Sequence, residues 1–116
     1  MSNNYLPYYV YNPYKDPNKN NNNAHGICNI GKVRFLWGTS QTNGWTYDSS
    51  LEGYTHEITF DYPFTTEPAV FCSAYFPSGS PAKTSILYKN NSKIKLYCSS
   101  GVQGLWVYWL SVSFAE

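Results

Sequence analysis

What this sequence has least of is charge. Asp, Glu, Lys and Arg make up 13% of its residues, about half the ~25% of an ordinary globular chain. Eight basic against seven acidic side chains, for a net charge of +1, form no basic patch or pole, which argues against an electrostatic nucleic-acid binder. Long apolar runs are missing too: none approaches the ~18 residues of a membrane-spanning helix. The opening "MSNNYLPYYVYNPYKDPNKNNN" sets prolines and aromatics where a signal peptide needs a continuous apolar block. Membrane insertion and signal-directed export are therefore not expected. The three cysteines, Cys28, Cys72 and Cys98, are odd in number, far apart and without a CxxC pair. Neither a zinc site nor a disulfide framework is indicated.

Catalytic motifs are equally scarce. Of the two histidines, His25 lies in an Asn-rich stretch and His56 stands beside Glu57. Adjacent strand residues point to opposite faces, so that pair is not a dyad. HExxH, GxSxG, Walker and dinucleotide patterns do not occur. Asp48, Glu52, Glu57, Asp61 and Glu67 have no spacing that argues for glycoside hydrolysis or for an ion. The expectation is a non-enzymatic protein with no cofactor and no metal.

Aromatics are abundant: 19% of the chain, with twelve Tyr, six Phe and four Trp, set among many Asn, Ser and Thr. Rings beside uncharged donors can stack on a sugar face and satisfy its hydroxyls without burying charge. The candidate carbohydrate contacts are Trp45 and Tyr47, two apart in a polar loop, with Tyr75, Tyr88 and Tyr97 on outward or ambiguous strand rows. For Trp45 and Tyr47 a ring folded back as a loop anchor is the more ordinary reading. Arg34, the only arginine, is a further candidate, although an intersubunit ion pair or a cap on a sheet face suits it better. Phe35, Trp37, Phe60, Trp106 and Tyr108 read as core.

Residues 1–30 differ from the rest. Tyr and Pro at 1–13 exclude a helix and suit a strap on a neighbouring surface; the asparagine run after them reads as a linker. From residue 31 short aromatic and β-branched runs alternate with Gly, Pro and Asn clusters, predicting strands over 32–37, 56–60, 69–76, 84–89, 93–99 and 104–114. The fifth has the cleanest half-buried pattern, with Ile94, Leu96 and Cys98 in and Lys93, Lys95 and Tyr97 out. Cys72 and Cys98 both fall on apolar rows. The expected fold is all-β, a six-stranded antiparallel β-sandwich with a non-helical N-terminal extension.

The last strand, "GLWVYWLSVSF", is apolar on both sides. Its Trp106, Tyr108, Leu110, Val112 and Phe114 row reads as the core face. Leu105, Val107 and Trp109 on the other side then need a second partner, and a subunit contact is favoured over the N-terminal strap or a ligand.

The order of these features resembles the C-terminal domains of phage tail fibres and the H-type lectin-like domains related to them. The resemblance spans about residues 31–116. It is carried by Trp37 and Gly38, by Phe60, Pro63, Phe64, Pro68 and Val70 in "ITFDYPFTTEPAVFCSAYF", and by Trp109 in the closing strand. It implies a six-stranded sandwich assembling as a homotrimer, with bacterial surface glycan bound non-catalytically near subunit boundaries. It also implies a trimer axis lined by apolar side chains, which suits Leu105, Val107 and Trp109, while the lectins' sugar-binding triad has no counterpart here. The expected setting is a virion, made in the host cytoplasm without a signal peptide, with residues 1–30 docking on other virion proteins. The alternative is a structural head, neck or baseplate protein with an assembly role only.

Overall fold

In a computed structural model the protein is described over residues 23–77, 79 and 81–115. The strap and most of the linker lie outside these residues. Eight strands form: β1 (Asn23–Ile30), β2 (Val33–Gln41), β3 (Thr46–Asp48), β4 (Gly53–Thr59), β5 (Ala69–Tyr75), β6 (Thr84–Lys89), β7 (Lys93–Cys98) and β8 (Trp106–Phe114). They make two four-stranded antiparallel sheets, the first in the order β1-β2-β8-β5 and the second β3-β4-β7-β6.

The all-β, two-sheet expectation holds, but the strand count rises from six to eight. β1 replaces part of the expected linker. Its residues pair in register with β2 from Asn23↔Ser40 to Ile30↔Val33, across the two-residue turn Gly31–Lys32. Gly31 has φ of 61°, the left-handed conformation that type II′ hairpins require at their first central position. β2 runs four residues beyond its expected end, through Gly38, Thr39 and Ser40: Gly38 and Ser40 pair with Trp109 and Val107 on the inner layer, while Thr39 pairs with Tyr108 on the outer one. β3 is only three residues long, too short to show any period.

The core lies between the sheets. Ile27, Leu36, Val107 and Trp109 of the first meet Ile94, Leu96 and Cys98 of the second, with Phe60 and Phe64 at one end. Cys72 and Cys98 are free thiols; burial raises the pKa of both, and each acts as a small hydrophobe.

The row assignment of β8 is the reverse of the expected one. Leu105 and Val107 are 0% exposed and Trp109 is 6% exposed, so none is available to another subunit. Trp106, Tyr108, Leu110, Val112 and Phe114 face outward instead, with Tyr108 and Phe114 exposed. Size decides the matter. β8 is central, and Trp109 pairs with Gly38 on one side and Cys72 on the other, while Val107 pairs with Ser40 and Ala74. Small neighbours make room for large groups on the inner layer. Outward, Leu110 stands between Trp37 and Phe71. Of the five aromatics read as core, only Phe60 is fully inside; Phe35, Trp37, Trp106 and Tyr108 belong to the outer face.

Candidate functional site

Among the described residues a groove of about 450 Å³ lies at one end of the second sheet. Two loops shape it. The first joins β3 to β4: Asp48 Oδ1 accepts hydrogen bonds from Ser50 N (2.9 Å) and Ser50 Oγ (2.6 Å), which fixes the turn and holds the Asp48 carboxyl below its ordinary pKa. Glu52 then takes φ of 52° to bring the chain back into β4. The second loop enters β6, where Lys83 N donates to Ser99 Oγ at 2.9 Å and Ser99 N donates to the Lys83 carbonyl at 2.9 Å. This pair of bonds clamps the loop to the end of β7.

Tyr97 lies between the loops. Its hydroxyl donates to the Leu51 carbonyl at 3.3 Å, and its ring lies across Gly53, where an added Cβ would stand 2.3 Å from Cε1. Glycine at 53 is therefore what lets the ring lie against the strand. Ser50, Glu52, Lys83, Tyr97 and Ser99 all line the groove. It thus offers one aromatic ring, hydroxyls and one side chain of each charge, chemistry suited to a polar, hydroxyl-rich ligand.

The other expected contacts do not gather here. Trp45 is buried, stacked on His56 with centroids 5.3 Å apart and planes at 18°. Its Nε1 donates to Ser40 Oγ at 2.8 Å, so it anchors its loop. Tyr47 is exposed and packs edge-on against Tyr54 at 5.2 Å. Arg34 is buried: Nε donates to Asn29 Oδ1 at 3.1 Å and a terminal nitrogen donates to the Pro63 carbonyl at 2.8 Å. The Tyr62 ring lies 5.6 Å from the guanidinium, and burial lowers the Arg34 pKa. Arg34 ties β1, β2 and the loop after β4 together.

Tyr88 donates to Glu57 Oε2, and Lys93 Nζ lies 3.7 Å from the same oxygen. The Tyr88 bond lowers the Glu57 pKa. These three side chains satisfy one another on the outer face of the second sheet. Tyr75 sits on the opposite side of the molecule, its ring 6.5 Å from that of Tyr108. Of the six residues expected to touch carbohydrate, the groove contains Tyr97 alone. Sequence reasoning missed Ser50, Glu52, Lys83 and Ser99; the Asp48-x-Ser50 turn signal beside a Glu-Gly pair was the available clue.

His56 is sandwiched beneath Trp45, and desolvation lowers its pKa. Among the described residues no group of three His, Cys, Asp or Glu side chains could hold a metal ion, and no helix is long and apolar enough to cross a membrane. The expected docking of residues 1–30 on virion partners falls mostly on residues outside the described ones. No protein-family model, no curated protein and no solved structure matches the chain.

Proposed function

We propose that this chain is a non-catalytic carbohydrate-recognition module of the tail-fibre tip kind, self-associating as its resemblance implies and taking a host-surface glycan in the groove beside Tyr97. The observation that carries this reading is the composition of the groove: the Tyr97 ring held against Gly53 of β4, with Ser50 and Ser99 hydroxyls and the Glu52 and Lys83 side chains in the same lining. Such a site binds a sugar by stacking and by hydrogen bonds to hydroxyls, with little charge to desolvate. The virion setting, the homotrimer and the attachment of residues 1–30 to other virion proteins belong to the same proposal.

The test is binding of the full chain to an array of bacterial envelope polysaccharides, repeated with Lys83→Ala and Tyr97→Phe. The expected result is a set of bound glycans whose affinity falls about tenfold in each variant with no change of thermal midpoint. Failure to bind any envelope polysaccharide sinks the reading. A module with an assembly role only is then preferred, and one observation favours it: the outer face of the first sheet is a far broader uncharged surface than the groove.

A further inference from the structure

We propose that a second copy of this chain packs on the outer face of the first sheet. The inference takes from the reading above only that copies of the chain associate; two identical faces covering each other make a two-fold pair in place of the trimer, and because the carbohydrate plays no part, loss of glycan binding leaves it standing.

The register of the strands sets large side chains in rows across the sheet. Trp37, Leu110 and Phe71 stand side by side on β2, β8 and β5, and Trp106 stands beside Tyr75. Phe71 is 58% exposed, Tyr75 54% and Phe114 52%. From Gly26 to Ile30 on β1, Val33 to Gln41 on β2, Trp106 to Phe114 on β8 and Ala69 to Tyr75 on β5, no outward position carries Lys, Arg, Asp or Glu. Water-facing sheets of isolated domains alternate apolar in and polar out; this one is uncharged and mainly apolar outward as well, with Thr39, Gln41 and Ser73 as its polar members.

Its size identifies the kind of occupant. Four strands spaced ~4.8 Å apart and about nine residues long at ~3.3 Å each span roughly 20 by 30 Å, or about 600 Å² before side-chain relief. That lies at the upper limit of patches that monomers leave bare and approaches the ~800 Å² per partner of a standard protein interface. Without cations the face has nothing for phosphate or anionic headgroups. Leu110, Val112 and Phe114 give a sugar no hydrogen-bond partners, and the few polar groups of the face, among them Ser73 and the Tyr75 and Tyr108 hydroxyls, are scattered among large apolar side chains. A second copy brings the same flat, uncharged surface in equal area, and two such faces related by symmetry cover each other as aligned sheets about 10 Å apart.

The experiment is sedimentation velocity of the full chain from about 1 to 500 μM, with hydroxyl-radical footprinting at both ends of that range. Self-association is expected, with Phe71 and Tyr108 becoming protected as concentration rises while Tyr47, equally exposed but on the other sheet, does not. Phe71→Asp should raise the dissociation constant about a hundredfold or more, since it buries an unpaired carboxylate in the contact, and Tyr47→Asp should leave it unchanged. A wild-type monomer throughout the range overturns the proposal. So does a monomer whose Phe71 and Tyr108 are protected at every concentration, the mark of residues 1–22 covering the face in place of a second copy. Association with Tyr47 protected and Phe71 open also overturns it. The footprint is read on the unaltered protein, so a misfolded variant does not blur the outcome.

Discussion

The two sheets share one core and show the outside opposite chemistry. On the second sheet Glu57, Lys93 and Tyr88 from β4, β7 and β6 bond to one another, and Lys95 and Asp48 stand on the same side of their strands. That face carries charge in the open: Glu57, Tyr88 and Lys93 satisfy one another there. On the first sheet the equivalent positions carry Trp37, Phe71, Tyr108 and Phe114 without one charge. The difference shows where a chain so poor in charge has placed what it has. One outer surface carries charge and the other carries none, and on the proposals above the two surfaces take different partners.

The sharpest way to break this comparison lies in two adjacent residues of β8. Val107→Asp sets a carboxylate among Leu36-layer core groups where the position is 0% exposed, and should cost more than about 4 kcal/mol, abolishing a cooperative urea transition. Tyr108→Asp, one residue on and 42% exposed, should leave the isolated chain within about 1 kcal/mol of wild type. Equal damage from both would mean that the inner and outer rows are not as distinct as the structure has them. Next in size is Arg34→Met, which removes the bonds to Asn29 and Pro63. Loss of about 2–3 kcal/mol in urea unfolding is expected, the usual range for bonds from a buried charged donor. If Arg34 served instead as an exposed intersubunit contact, the monomer's stability would not change.

A smaller effect separates the pH responses of core and surface. Burial beneath Trp45 holds the His56 imidazole below its ordinary pKa. In the unfolded chain it titrates near about 6.5, so between that value and its lower folded one the unfolded state binds more protons. The stability from keeping His56 neutral is complete above about 6.5 and declines as pH falls toward the folded value. Urea midpoints measured between pH 7.5 and 5 should fall for wild type and flatten in His56→Phe. Asp48 and Glu57, held low by bonds from Ser50 and Tyr88, lose their contribution only at more acid pH, nearer the carboxylate range of about 4.

Strand for strand the two sheets were equally legible in the sequence, each lacking one, β1 in the first and β3 in the second; the facing of β7 was readable and that of β8 was not. β7 was readable because Ile94, Leu96 and Cys98 alternate with Lys and Tyr, so period and polarity agree. β8 has no such agreement, since both its rows are apolar. Which row turns inward depends on Gly38, Ser40, Cys72 and Ala74 of neighbouring strands, and a single sequence does not show who those neighbours are. β1 was hidden by its asparagines, although Gly31–Lys32 between "ICNI" and "VRFL" is a hairpin signal. The groove was legible only at Tyr97, because Ser50, Glu52, Lys83 and Ser99 come from segments that pairing brings together.

The smallest expected effect completes the comparison from the wet side. Glu57, Tyr88 and Lys93 form a bonded trio, yet all three lie at the surface, where solvent and salt screen their attraction and fixing long side chains costs entropy. Tyr88→Phe removes the hydroxyl that holds the Glu57 carboxyl low. Its NMR-monitored pKa should therefore rise toward the ordinary glutamate value, while the urea midpoint at neutral pH shows no resolvable change. The trio's role on this reading is to satisfy the outer face of the second sheet rather than to hold the sandwich together. A clear loss of stability in Tyr88→Phe would show that the polar face contributes to the fold as the core does, and the contrast with the first sheet would have to be redrawn around packing instead of partner choice.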